Sequence, residues 1–251
     1  MPKDYLGTAK AFAYLGNVYR RLGNYEKAKE LCEQSLEIYK QHNLQNSIKF
    51  AWTLAHLGQA YKELGNYDKA QSFLEESLRI YREKSPDNYL REAWVLGHLG
   101  SVYRELGEFQ KAKSFLERSH NIYKKHFSEN HMRTAWVLFL LGEVYKDLKD
   151  YDTAESYFKK SLSMYEQNYG RNHIENTKVL ARLGEVYLLK GQVDQGEAFL
   201  NRALSISSKT HHPWSYYSLE VLADLYIKRS SQALEKGQDQ EAEIKKKKAI
   251  E

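Results

Sequence analysis

Thiols, prolines and long apolar runs are scarce in this sequence. Its single cysteine, Cys32, can form neither an internal disulfide nor a multi-thiolate zinc site. No apolar run approaches the ~18 residues that a membrane span needs. The opening Met-Pro-Lys-Asp-Tyr-Leu lacks the basic-then-apolar pattern of a secretory signal. Catalytic signatures are missing as well. There is no Gly-x-x-x-x-Gly-Lys, no His-Glu-x-x-His, no Gly-x-Ser-x-Gly, and no Gly-x-Gly-x-x-Gly after a strand. Charge of one sign is not in excess either: 38 Lys and Arg face 33 Asp and Glu, a net +5, which is too small to argue for a polyanion partner. These absences lead us to expect a cytoplasmic protein that is not an enzyme. It should hold no cofactor or metal and should not act on nucleic acid or membrane. Aromatics, by contrast, are plentiful, with 20 Tyr, 9 Phe and 4 Trp in 251 residues. That composition argues against disorder, and the length allows a sizeable core.

The glycines are few, and they recur at fixed intervals. Leu15-Gly16 returns as Leu57-Gly58, Leu99-Gly100, Leu141-Gly142 and Leu183-Gly184, each step being 42 residues. Tyr19, Tyr61, Tyr103, Tyr145 and Tyr187 keep the same step, as do Ala28, Ala70, Ala112 and Ala154, with Gly196 fifth. A sixth copy, Leu222-Ala223-Asp224-Leu225-Tyr226, follows after 39. The expected units are 4–45, 46–87, 88–129, 130–171 and 172–210, with an atypical or truncated sixth at 211–251, all in one solenoid.

Each unit reads as two helices. Leu54, Leu57, Gly58 and Tyr61 share one helical face, and after Gly65-Asn66 a second face runs Tyr67, Ala70, Phe73, Leu74, Ser77, Leu78, Tyr81. Gly23, Gly65, Gly107 and Gly191 suit the left-handed backbone that ends a first helix, with Lys149 the exception. Asp4, Asn46, Asn88, Asn130 and Asn172 stand where first helices should begin, and Pro213 suits the first turn of the sixth. A glycine inside a helix costs about 1 kcal/mol against alanine. Those at 16, 58, 100, 142 and 184 therefore imply close approach of the partner helix, where Ala28 and its equivalents face back. Such a pair cannot bury its apolar faces alone, so neighbours must stack.

At Leu57-Gly58-x-x-Tyr61, Gly65-x-Tyr67-x-x-Ala70 and Phe73-Leu74 the chain resembles the tetratricopeptide repeat family. Its unit is longer than the usual ~34 residues and is similar to that of kinesin light chains and LGN-type polarity adaptors. Tyr169-Gly170-Arg171-Asn172-His173 is similar to a kinesin light chain loop between repeats. The resemblance implies an all-α fold, a right-handed superhelical solenoid of antiparallel helix pairs. It also implies a concave groove, lined by first helices, that binds an extended peptide or a helical segment of a partner protein. The family's clamp for chaperone tails is not expected, because its Lys and Asn positions hold Ala13 and Asn17, then His56, then Trp94 and His98.

A helical wheel places the candidate groove residues opposite Leu54, Leu57 and Tyr61. Trp52, Trp94 and Trp136 share one repeat position and form a row of large aromatics suited to anchoring a partner. The same indoles could instead pack on the neighbouring first helix and set the curvature. Arg20, Lys62, Arg104 and Lys146 make a basic ladder for an acidic peptide or a terminal carboxylate, or else form a solvated face that pairs with charges of the next repeat. Asn17, Gln59, Ser101, Glu143 and Glu185 form a third row, so the groove should grow acidic along the chain. His56 and His98 lie beside it; the nine histidines show no zinc-ligand spacing, and Cys32 reads as a core residue.

The end of the chain departs from the pattern. A helix near Pro213–Lys236 finds no turn glycine until Gly237, Asp239 and Ala242 resume the spacing, and a four-lysine run, 245–248, follows. It reads as a polar cap or a repeat cut short. The expected assembly is a monomer, or weak self-association through terminal repeats. A peptide-sensing regulatory module that switches an attached effector domain is the competing function.

Overall fold

The computed structural model describes residues 4–127, 131–207 and 213–235, with 244, 245, 247 and 248; in the last helix, side chains are described from 216 to 227. Among the described residues there are eleven helices and no strand. They are α1 (Tyr5–Arg21), α2 (Tyr25–Gln41), α3 (Ile48–Glu63), α4 (Tyr67–Lys84), α5 (Tyr89–Glu105), α6 (Phe109–His126), α7 (Met132–Asp147), α8 (Tyr151–Tyr169), α9 (Asn176–Leu189), α10 (Val193–Ser207) and α11 (Pro213–Glu235). Odd and even helices pair antiparallel in sequence order, as the period requires. The chain divides into two compact units, Met1–Glu129 and Asn130–Glu251. In the first, α2 packs on α3 and α4 on α5; in the second, α8 packs on α9 and α10 on α11.

The hairpin turns follow from one residue each. Gly23, Gly65, Gly107 and Gly191 have φ of 81°, 75°, 75° and 76°, and Lys149 takes the same left-handed backbone at 63°. The next residue starts the second helix: Asn24, Asn66 and Asp150 each accept an N–H three positions on.

The glycines inside the first helices mark where the two helices of a pair touch. A Cβ on Gly58 would stand 2.8 Å from Leu74 Cγ and 3.1 Å from the Ala70 carbonyl oxygen. At Gly100 the distances are 2.5 Å to Leu116 and 3.1 Å to the Ala112 oxygen; at Gly142, 2.6 Å to the Phe158 ring. The alanine row thus faces the glycines, as expected, and the residue four further on fills the remaining gap. Cys32 is that residue in the first pair, and burial pushes its thiol up to about 12, which leaves it unreactive.

A buried serine ties each of the first four pairs again. Ser35, Ser77, Ser119 and Ser161 donate at 2.6–2.8 Å to the carbonyls of Ala9, Ala51, Ala93 and Ala135. In the fifth pair that position holds Ala203. Tyrosines then join neighbouring pairs: Tyr61 donates to Glu33 at 2.7 Å, Tyr103 to Glu75 at 2.6 Å and Tyr187 to Glu155 at 2.8 Å.

Two of the expected first-helix starts are displaced. Asp4 and Asn88 cap α1 and α5, but Ser47 rather than Asn46 caps α3, accepting from the Phe50 N–H at 3.1 Å. Asn172 caps nothing. Asn176, fully buried, donates to the carbonyls of Gly170 and Arg171 at 2.8 and 3.0 Å, and α9 begins at that residue. Asn130 lies outside the described residues; His131 caps α7. α11 begins at Pro213 as expected, while Gly237, Asp239, Ala242, His211 and His212 fall outside the described residues.

Candidate functional site

First helices approach one another in the first unit: α1 touches α3, and α3 touches α5, whereas α2, α4 and α6 make no comparable contact. The first helices therefore line the tighter, inner side of this unit. Along it runs a continuous aromatic ladder. Tyr14 lies 5.0 Å from Trp52, Trp52 lies 4.1 Å from His56, His56 lies 5.2 Å from Trp94, and Trp94 lies 4.7 Å from His98. Each rung alternates between the tryptophan row and the row four residues on, which the 42-residue step brings side by side.

Trp52 and Trp94 each pack against a ring of the preceding first helix and are half-buried. His56 is deeply covered, 5% exposed, and burial, with Arg20 nearby, drives its pKa down to about 3. Burial holds His98 well below the ordinary imidazole range too, with Lys62 adding to the effect. In both rings the surroundings favour the neutral form. Gln59 and Ser101 are also buried, so they back the ladder rather than face solvent. Gln59 donates to the Ala55 carbonyl at 3.3 Å.

The basic ladder is largely tied to its neighbours. Arg20 donates to Asn17 at 3.1 Å, Lys62 to Ser101 at 3.3 Å, and Arg104 pairs with Glu105. In the second unit Trp136 is half-buried on α7, and Lys146 donates to both Glu185 oxygens at 3.1 Å. Glu143, 3% exposed, pairs with Arg182 at 3.0 Å. Burial alone would raise Glu185, but Tyr217, Lys146 and Arg182 together hold it below the usual carboxylate range. The acidic stretch expected from Glu143 and Glu185 is thus neutralised within its own unit. Lys178, which takes the tryptophan position in the fifth repeat, sits over the Tyr165 ring at 4.9 Å.

Beside the ladder, between α1 and α3, opens a cavity of about 320 Å³ whose walls include Lys10, Tyr14, Lys49, Trp52 and Arg91, with Tyr39 beneath. Sequence reading did not reach these cations. The signal was available: Lys10 stands one period before Trp52, and Lys49, Arg91 and Arg133 share a single repeat position. Among the described residues no cluster of three metal-ligating side chains occurs, and no helix is long and apolar enough to cross a membrane.

A tetratricopeptide repeat model matches residues 7–83 and 91–167, and a second model of the same repeat matches 177–210. The chain belongs to the tetratricopeptide repeat family. Solved structures of similar fold agree with this. BtubC (BKLC) from P. vanneervenii is 21% identical with a TM-score of 0.69, over 90% of this chain and 89% of that one. A signal transduction ATPase with numerous domains from Pyrococcus horikoshii, which has a tetratricopeptide repeat sensor, matches 99% of this chain at 21% identity and a TM-score of 0.69. The chain spans 37% of that larger protein. A Rap protein complexed with competence and sporulation factor is 14% identical, with a TM-score of 0.70, over 95% of this chain and 73% of that one. No curated protein sequence matches the chain significantly. At these identities the likeness is one of fold. What this tetratricopeptide repeat protein can hold must be read from its own residues.

Proposed function

We propose that the first unit is a protein-interaction module that holds an extended peptide of a partner protein along the inner side of α1, α3 and α5. The observation that carries this reading is the ladder from Tyr14 to His98. Two half-buried indoles stand in register on adjacent helices, braced from behind by neutral, buried His56 and by Gln59. Rigid aromatics held on packed helices present large contact area at little entropic cost. Asn17, Arg20, Lys62 and Arg104 rim this face and supply polar contacts. The tetratricopeptide fold, whose relatives act through protein partners, supports the same reading. Peptide sites of this size bind in the micromolar range, about −8 kcal/mol.

A second reading is a sensor: a peptide on this face changes the stacking of the pairs and switches an effector domain. The fold likeness to a Rap protein solved with a factor bound, and to an ATPase with a repeat sensor, favours it. Both readings share the site and part on whether binding alters the unit's shape.

The test is selection of a displayed random-peptide library on the full chain and on Trp52→Ala/Trp94→Ala. Enriched peptides that bind the wild-type chain and lose at least tenfold on the double variant are the expected outcome. Equal enrichment on both would reject the ladder as the site. Scattering of the complex against the free chain separates holder from sensor.

A further inference from the structure

The cavity between α1 and α3 carries charge of one sign. Lys10 comes from α1, Lys49 from the first turn of α3 and Arg91 from the first turn of α5, and none of its lining residues is a carboxylate. This contrasts with other cations of the same unit, where Lys62 lies 3.3 Å from Glu63 and Arg82 lies 2.8 Å from Glu92. Lys49 is exposed to solvent and lies close to Lys10, and that contact lowers the Lys49 ammonium below its ordinary value. Arg91 is held in place rather than loose: it donates to the Tyr81 hydroxyl at 3.3 Å and lies over that ring at 5.6 Å. Tyr14, 62% exposed, and half-buried Trp52 form the adjoining apolar wall. The volume, about 320 Å³, is at the small end of ligand pockets and suits one or two side chains.

We propose that this cavity is an anion subsite of the peptide face: a carboxylate or phosphate on a peptide side chain sits among Lys10, Lys49 and Arg91, and the next apolar residue lies against Tyr14 and Trp52. It rests on the reading that α1, α3 and α5 hold a peptide. An anion there relieves the repulsion between the two ammonium groups and gains charge-assisted hydrogen bonds. A long polyanion is the poorer fit, because Glu63 and Glu105 follow further along α3 and α5.

Three dye-labelled peptides, Gly-Ser-Leu-X-Leu-Ser-Gly with X as Glu, phosphoserine or Gln, separate the possibilities by fluorescence polarisation on the full chain and on Lys10→Gln/Lys49→Gln. The Glu and phosphoserine peptides are expected to bind about tenfold tighter than the Gln peptide. The variant should bring them to the Gln level with its helix content unchanged. The tighter of the two identifies the source of the anion. Equal binding of all three, abolished in Trp52→Ala/Trp94→Ala, would overturn the subsite and leave the peptide face standing. Peptides that fail to bind while acetyl-glutamate amide still shifts the Lys10 and Lys49 resonances would overturn the peptide reading but not the anion site; loss of both signals would overturn both. A preference for anionic peptides that survives in the variant would place the anion elsewhere. Tighter binding of an oligothymidylate than of the Glu peptide at physiological salt would overturn the assignment to peptides.

Discussion

Gly100→Ala sets two effects against each other, and the structure says which wins. In an open helix the change would stabilise by about 1 kcal/mol through helix propensity. Here the new Cβ would lie 2.5 and 2.7 Å from Leu116 Cγ and Cδ2 and 3.1 Å from the Ala112 carbonyl oxygen. Leu116 is fully buried and cannot swing into solvent. α6 must move away from α5 or Leu116 must leave its rotamer, and overpacking of this kind costs about 1–3 kcal/mol. The net expectation is a loss of up to about 2 kcal/mol, from those two terms. The assay is urea unfolding followed by circular dichroism at 222 nm, with hydrogen exchange along α5 and α6 because stacked repeats unfold in parts. Leu116→Ala opens the space the new methyl needs, so the double variant should lose less than the sum of the single changes. An increase in stability for Gly100→Ala, or strict additivity with Leu116→Ala, would refute the close-approach explanation of the internal glycines.

Other outcomes follow from the same packing. Ser77→Ala removes the bond to the Ala51 carbonyl and should cost about 1 kcal/mol, while Ala203→Ser supplies the missing bond of the fifth pair and should gain a similar amount; chemical denaturation reads both. Lys149→Gly relieves a left-handed backbone worth about 1–2 kcal/mol but frees the unfolded chain by about 0.4–1 kcal/mol, so a gain of about 0.5 kcal/mol is expected in the same assay. His56 has a folded pKa near 3, below its unfolded value of about 6.5. The folded state therefore binds fewer protons, and the stability that neutral His56 supports is present above pH ~6.5 and lost as pH falls from there toward about 3, by at most about 1.4 kcal/mol per pH unit. Unfolding curves between pH 6.5 and 5, above the main carboxylate range, should show this slope in the wild type and a shallower one in His56→Gln.

The repeat architecture was legible because it is written five times. A glycine that only a close helix pair requires, and a glycine that only a left-handed turn requires, recur at one spacing, and even the exception at Lys149 keeps the turn. The helix starts were less legible. Asn46 and Asn172 are good capping residues placed beside better local solutions: Ser47 accepts the bond one position later, and Asn176 spends its side chain on the loop carbonyls. In the candidate site, the tryptophan row was readable, but the burial of His56, Gln59 and Ser101 was not. A wheel drawn on one helix shows which side faces its own partner. It does not show that the opposite flank meets the next first helix. For the same reason Lys10, Lys49 and Arg91, three cations from three different helices, converge only when those helices are stacked.

The most direct measurement is a titration of the full chain with a library-selected peptide, observed through the indole N–H resonances. The account predicts that the Trp52 and Trp94 signals move together and saturate at one micromolar dissociation constant. A peptide that binds with that affinity and moves neither would contradict it.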